Sequence, residues 1–217
     1  MLNLSKGRRT MNKTESFWDR AAAKYARSPI KDMEAYEKTL ARVRANLKAD
    51  DHVLEVGCGT GSTALLLADA VREITASDVS SAMIEIAKGK AADQKIANVT
   101  FVHATPFDDA LGATAYDAVL AFNLLHLLED LPAAIRRLRD LVGPGGLFIS
   151  KTPCLSEKKG FLRPVISLMR LFGAASYVNF FSIKTLEEEI AKAGFDIVET
   201  GDYPPSAPSR FIVARKV

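Results

Sequence analysis

Three glycines at alternate positions follow the short apolar run HVLEV. They are Gly57, Gly59 and Gly61. Glycine adopts positive φ without strain and lets a ligand approach the backbone closely, so three of them in one turn indicate that a bulky group lies against the main chain. The dinucleotide fingerprint is G-x-G-x-x-G, whereas here Ser62 stands at the place of its third glycine. The spacing therefore disfavours NAD or FAD.

An aspartate, Asp78, ends the next β-rich run, EITASD, 17 residues after Gly61. A carboxylate at the end of a second strand can accept hydrogen bonds from the hydroxyls of a ribose. The alternative is that the glycines only make a tight turn and that Asp78 only caps the following helix. Taken together, the two elements favour a nucleoside held between the first two strands.

Strand-like and helix-like segments alternate from about residue 50 onward, which predicts an α/β fold. We expect a Rossmann-like, doubly wound sheet of seven mostly parallel strands with helices on both faces. The predicted strands are HVLEV, EITASD, VTFVH, YDAVLAF, LFISK, FDIVETGDY and SRFIVARKV. Ligands of such sheets bind beyond the carboxyl ends of the strands, where the glycine turn and Asp78 are expected.

The remaining segments are appendages to this sheet. Residues 1–13 are predicted to be a flexible arm, and residues 14–217 a single domain. Within it, residues 14–48 form a cap of two helices, and residues 153–181 form a helical insertion on the carboxyl edge of the sheet. The insertion is a candidate lid over an acceptor.

Two features of the insertion bear on the acceptor. Its apolar residues recur at helical spacing, and Arg163 and Arg170 share one helix face. Such a stripe usually packs on its own domain, and the arginines can simply be solvated. The pattern otherwise favours a partly hydrophobic acceptor, with the arginines near an anionic group.

The stretch VLEVGCGTG resembles motif I of the class I S-adenosylmethionine-dependent methyltransferases. Further matches follow in order: DVSSAMIEIA, YDAVLAFNLLHLLED, LRDLVGPGGLFIS and LEEEIAKAGFDIVET. The resemblance runs from about Glu15 to Val217 and is to the small-molecule type, near the ubiquinone, menaquinone and phospholipid methyltransferase-like group. It implies S-adenosyl-L-methionine as methyl donor, S-adenosyl-L-homocysteine as product, and in-line transfer to a small acceptor.

The resemblance also implies roles for the residues around motif I. The loop from Gly57 to Gly61, with Cys58 as a small filler residue, would contact the methionine part of the cofactor. Glu55 would orient that loop or bind the amino group. Asp78 would hold the ribose hydroxyls.

Further cofactor contacts are implied by the other motifs. Val79 and Met83 would border the adenine, together with Ala104 and Thr105 in the loop after the third strand. Many relatives carry an acidic residue in that loop, and this chain has Thr105 instead. Two more residues complete the implied site: Asn123, near the methionine end or the acceptor, and Tyr25 on the first helix, near the carboxylate of the cofactor.

His126 is the candidate general base, because it follows Asn123 on the carboxyl side of the fourth strand and has an ordinary pKa near neutrality. The alternative is that it only packs or orients the loop. No metal site is expected, since neither Cys58 nor Cys154 has the spacing of a zinc site or a disulfide framework.

Composition limits the partners. The net charge is +3 and the basic residues are scattered, so we expect a small-molecule acceptor and no nucleic acid. No uncharged run is long enough for a transmembrane span, and a cytoplasmic protein is expected. Peripheral membrane contact and a homodimer stay open. The rival functions are a non-catalytic regulatory protein that binds S-adenosylmethionine or S-adenosylhomocysteine, an NAD-dependent oxidoreductase, and a methyltransferase acting on RNA or protein.

Overall fold

The structure of the 217-residue chain is a computed structural model. It describes residues 2–112, 115–157, 177–206 and 209–217, with the backbone alone described for residues 2–12 and 157. Most of the predicted insertion, including Arg163 and Arg170, lies outside the described residues.

Seven strands form one sheet in the order β3-β2-β1-β4-β5-β7-β6. The strands are β1 (His52–Val56), β2 (Glu73–Asp78), β3 (Val99–His103), β4 (Tyr116–Phe122), β5 (Val142–Pro153), β6 (Phe195–Asp202) and β7 (Ser209–Lys216). The first five strands are mutually parallel, and β7 runs antiparallel between β5 and β6. Strand order reverses between β1 and β4, so their carboxyl ends border the crevice where ligands of open α/β sheets bind.

Helices cover both faces of the sheet. They are α1 (Leu2–Arg27), α2 (Met33–Asn46), α3 (Ser62–Leu67), α4 (Ser81–Asp93), α5 (Leu131–Leu141) and α6 (Ile183–Lys192). Asp32, Ser80, Asp130 and Ser182 each accept a hydrogen bond from the amide three residues ahead, which caps α2, α4, α5 and α6. Within the described ranges, every helix is too short or too polar to cross a bilayer.

The core is divided by the sheet into two apolar clusters. Neighbouring strand residues point to opposite faces, so Val53 of β1 packs with Val43 of α2 and Leu54 of β1 packs with Ile135 of α5. This arrangement confirms the predicted doubly wound, mostly parallel α/β sheet of seven strands.

Two elements have bounds that differ from the predicted ones. The first helix begins at Leu2 and so includes residues for which the sequence predicts a flexible arm, residues 1–13; the segment contains no proline and is rich in Lys and Arg, which are good helix formers. The predicted fifth strand, LFISK, begins at Leu147. The observed β5 starts earlier, at Val142, and the intervening Gly143–Gly146 segment is accommodated by a register shift against β4.

Candidate functional site

The three glycines of the turn after β1 all have positive φ, between 54° and 74°, but they have different surroundings. A Cβ at Gly57 would lie 2.8 Å from Cδ1 of Leu124, and one at Gly61 would lie 2.7 Å from Cε1 of Phe101. At Gly59 the nearest atom is Cε1 of Tyr25, at 3.6 Å. Gly57 and Gly61 therefore permit close packing, and Gly59 keeps the backbone open on one side.

Asp78 joins this turn to the start of α4. Its Oδ2 accepts from the Gly59 amide and its Oδ1 from the Ser80 amide, both at 2.9 Å. Burial raises the pKa of the Asp78 carboxyl, and the two backbone hydrogen bonds oppose that rise. Each carboxylate oxygen has more than one lone pair, so Asp78 can accept further hydrogen bonds from a ligand.

A cavity of about 840 Å³ opens beyond the carboxyl ends of the central strands. Ten of the predicted site residues line it: Tyr25, Gly57, Gly59, Asp78, Val79, Met83, Ala104, Thr105, Asn123 and His126. They come from α1 and from the segments that follow β1, β2, β3 and β4. The structure therefore brings together side chains that are up to about a hundred residues apart in sequence.

Three predicted residues, Glu55, Cys58 and Gly61, lie behind the cavity wall. Glu55 is buried at the end of β1, where the Ala64 amide donates to its carboxyl group and Oε2 has no hydrogen-bond partner among the described residues. Burial raises the pKa of Glu55 to about 8. Burial also raises the pKa of the Cys58 thiol, which stays protonated and fits the predicted role of a small filler residue.

The cap helix α1 contributes two aromatic residues to the cavity. Trp18 and Tyr25 are seven residues apart and therefore share one helix face, with ring centroids 6.5 Å apart. Burial, with the Asp78 carboxylate as a second cause, raises the pKa of the Tyr25 phenol, although 53% of the residue is still exposed at the mouth. Trp18 contacts Phe17 and also lines the cavity.

The loop after β3 folds back on itself. Thr105 donates from its amide and its hydroxyl to Oδ2 of Asp108, at 2.6 and 2.8 Å. This turn brings the Asp108 carboxylate against Thr105, the residue that stands where many relatives carry an acidic one. Phe107, which the sequence analysis missed, lines the cavity and is 52% exposed; its position depends on this turn, which no periodic pattern signals.

The loop after β4 supplies two polar side chains. Asn123 has a φ of 53°, and its amide donates to the Lys151 carbonyl at 2.8 Å. Residues with positive φ other than glycine are uncommon and cluster at functional sites. His126 follows in a 3-10 turn; its Nδ1 is buried without a hydrogen-bond partner among the described residues. Burial lowers the pKa of His126 to about 4, so the imidazole is neutral at pH 7.

Residues 25–200 match the family model described as a methyltransferase domain. The chain belongs to this methyltransferase family. The match confirms the class I S-adenosylmethionine-dependent methyltransferase family that the motifs predict, and the open-sheet fold agrees with it.

Two curated relatives of this chain are named as methyltransferases. An uncharacterized methyltransferase of Mycobacterium bovis is 36% identical over 94 residues, which cover 43% of this chain and 46% of the relative. The demethylmenaquinone methyltransferase of Oceanobacillus iheyensis is 26% identical over 180 residues, covering 74% of this chain and 76% of the relative. The chain spans less than half the length of the first curated relatives that it matches.

Solved structures share the fold of this methyltransferase. Geranyl diphosphate C-methyltransferase from Streptomyces coelicolor A3(2), crystallised with Mg²⁺, geranyl diphosphate and S-adenosyl-L-homocysteine, superposes with a TM-score of 0.74 at 13% identity. The superposition covers 96% of this chain and 98% of that one. At this identity the similarity establishes the fold.

Proposed function

We propose that the chain transfers the methyl group of S-adenosyl-L-methionine to a small, partly hydrophobic acceptor, leaving S-adenosyl-L-homocysteine. The observation that carries this proposal is the pairing of the Asp78 carboxylate with the Gly59 amide at the wall of a cavity. In a methyltransferase family member, this pairing joins a carboxylate that can accept ribose hydroxyls to a backbone that a ligand can approach closely.

The residues around the cavity fit this cofactor chemically. Oε2 of Glu55, buried behind the glycine turn without a hydrogen-bond partner among the described residues, is an acceptor that an ammonium group could reach through a water molecule. Val79 and Met83 give an apolar border for an adenine ring, and Thr105 gives a polar one. The same wall offers less for a dinucleotide, because a pyrophosphate is usually held at a helix N-terminus behind a fingerprint that this chain lacks.

The chain contributes mainly positioning and exclusion of water. The bound donor supplies an activated methyl group on its sulfonium. The glycine turn and Asp78 fix the donor site, while Trp18 and Tyr25 cover it from α1. Holding two reactants in line in a dry site is a large part of catalysis for such a transfer.

The acceptor half of the cavity is mostly apolar. The lining residues beyond Asn123 are Phe122, Leu124, Leu127, Leu128, Pro153 and Tyr177. His126 and the Tyr177 phenol are the polar groups among these described residues, and Glu129 and Asp130 lie exposed at the rim. This lining supports an apolar acceptor with one hydroxyl or similar hydrogen-bond donor, because such a group can donate to His126 while the rest of the acceptor contacts apolar side chains.

His126 is proposed to receive the proton that such an acceptor loses. Its Nδ1 is buried and has no hydrogen-bond partner among the described residues, so it can accept a hydrogen bond from a ligand. Because its pKa is about 4, the imidazole is a weak base that needs no prior deprotonation at neutral pH. Proton transfer would then accompany methyl transfer instead of preceding it.

A screen with labelled methyl donor tests the proposal. The acceptor panel should contain phenols, quinols and isoprenoid alcohols, alongside anionic analogues, RNA and protein. We expect label in neutral, partly hydrophobic acceptors. Transfer to RNA or protein alone would refute the small-molecule assignment. Donor binding with no transfer to any acceptor would instead favour the non-catalytic regulatory protein.

The proposed function also has a cellular location and a domain organisation. We propose a cytoplasmic protein in which residues 14–217 form one domain, with residues 14–48 as its cap. Both cysteines are buried thiols, and a reduced state is typical of the cytoplasm. Cell fractionation and limited proteolysis test these two points.

A further inference from the structure

We propose that Asp19 is a positioning residue, which holds α1 over the donor half of the cavity and thereby sets how long the donor and its product stay bound. The inference rests on the proposed function, because it assigns the cofactor to this cavity. Asp19 itself does not line the cavity. It acts through the helix that carries Trp18 and Tyr25.

The carboxylate of Asp19 reaches across to the start of α4. Its Oδ1 accepts from the Ser80 hydroxyl at 2.6 Å and from the Ala82 amide at 3.2 Å. A carboxylate at this end of a helix is favoured by the unpaired amides and by the helix dipole. The contact therefore ties α1 to the element that follows Asp78.

Ser80 connects two carboxylates. Its hydroxyl donates to Asp19, while its amide donates to Oδ1 of Asp78 at 2.9 Å. The other oxygen of Asp78 holds the Gly59 amide. A continuous path of hydrogen bonds thus runs from the cap helix to the glycine turn, through the residue proposed to bind the ribose.

Among the described side chains of α1, from residue 13 onward, few apolar groups are fully buried. Between residues 13 and 27, only Ala22 is fully buried, and its side chain is a single methyl group. Tyr25 is half exposed, and Trp18 is only partly buried. The partly buried aromatic residues contribute apolar area, and the polar contact at Asp19 adds a directional restraint that fixes the position of the helix over α4.

The consequence concerns ligand exchange. Trp18 and Tyr25 lie on the wall of the cavity, so a shift of α1 widens the path by which the donor enters and leaves. Breaking the contact at Asp19 frees α1 without removing any group from the cavity wall. Dissociation of the cofactor should accelerate, while the groups that bind it stay in place.

The chain contains one tryptophan, so the fluorescence of Trp18 reports directly on the cavity. Stopped-flow release of S-adenosyl-L-homocysteine should be compared in the wild type, Asp19→Ala and Asp19→Asn. We expect release about tenfold faster in Asp19→Ala, as for the loss of a charged hydrogen bond, and within about twofold of wild type in Asp19→Asn, whose amide oxygen can accept both hydrogen bonds.

Two further variants separate positioning from general loosening. Glu15→Ala removes another carboxylate of α1, which pairs with the half-exposed His103 at 3.3 Å, and should change release by less than about twofold because exposed pairs contribute little. Ser80→Ala should accelerate release like Asp19→Ala, and the double variant should add little to either, since the two residues share one contact.

The outcomes separate the role of Asp19 from the proposed binding of the methyl donor. Wild-type release rates in a folded Asp19→Ala protein, with an unchanged melting temperature, would overturn the positioning role. Equal acceleration by Glu15→Ala and Asp19→Ala would overturn it as well. If the wild type binds neither S-adenosyl-L-methionine nor its product in calorimetry, the proposed function itself fails.

Discussion

The amide of Gly59 donates to Oδ2 of Asp78 at 2.9 Å, across 19 residues of sequence. The end of β2 thus holds the turn after β1 in place before any ligand binds. Such preorganisation lowers the ordering cost of binding. It also explains why the glycine turn and the aspartate predict a site better together than either does alone.

Substitution of Asp78 should weaken donor binding in proportion to the hydrogen bonds lost. Asp78→Ala removes the acceptors for the ribose and the anchor of Gly59, and we expect the Kd for S-adenosyl-L-methionine to rise by about 100-fold. Asp78→Asn keeps one acceptor oxygen, so its Kd should lie between those of the wild type and Asp78→Ala. Titration of Trp18 fluorescence measures both. As a control, Asp69→Ala changes an exposed carboxylate; equal effects at both positions would argue against the assignment.

Alanine at two of the glycines should separate binding from stability. At Gly61 a Cβ would lie 2.7 Å from Phe101, so Gly61→Ala should mainly lower the free energy of unfolding. At Gly59 there is room for a Cβ, and the cost of positive φ is about 1–2 kcal/mol, but the added methyl group faces the cavity. Gly59→Ala should therefore lose more donor affinity and less stability. Urea unfolding and calorimetry would contradict this if the ranking were reversed.

Glu55 should make stability depend on pH. Burial raises the pKa of its carboxyl from 4.5 to about 8, so the folded protein binds more protons than the unfolded chain between these values. Its contribution to the free energy of unfolding is complete below pH 4.5 and decreases as the pH rises toward 8. In Glu55→Gln this decrease should disappear. Urea unfolding of both proteins from pH 5 to 8 measures the difference, and parallel profiles would contradict the burial of an ionisable Glu55.

Loss of His126 should affect turnover and leave donor binding intact. We expect His126→Ala to lower kcat by about 100-fold, the lower end for a general base, with the Kd for S-adenosyl-L-homocysteine within about twofold of wild type. Because the pKa of His126 is about 4, its ionisation should leave kcat flat between pH 6 and 8. An unchanged kcat in the variant would assign His126 to packing alone.

Local patterns predict the elements of this fold well. The predicted runs EITASD and YDAVLAF coincide with the observed bounds of β2 and β4. These features depend on contacts within a few residues. The site residues on the strand ends could be predicted for the same reason, since parallel strands bring their carboxyl ends to one edge.

Other features depend on contacts that no local pattern records. Asp19 meets Ser80 across 61 residues, and nothing in the spacing of either residue indicates the partner. The periodicity of α1 predicts that Trp18 and Tyr25 share a face but not that this face lines a cavity. The turn that brings Asp108 to Thr105 is likewise set by a side-chain hydrogen bond. Such local bonds offer the backbone an alternative to regular structure, and no hydrophobic periodicity indicates them.

The central claim is that the cavity beside Gly59 and Asp78 binds the methyl donor. Calorimetric titration of the wild-type protein with S-adenosyl-L-homocysteine and, in parallel, with NADH tests it most directly. The account predicts saturable binding of S-adenosyl-L-homocysteine at one site per chain and no binding of NADH. Binding of NADH with no binding of S-adenosyl-L-homocysteine would contradict it.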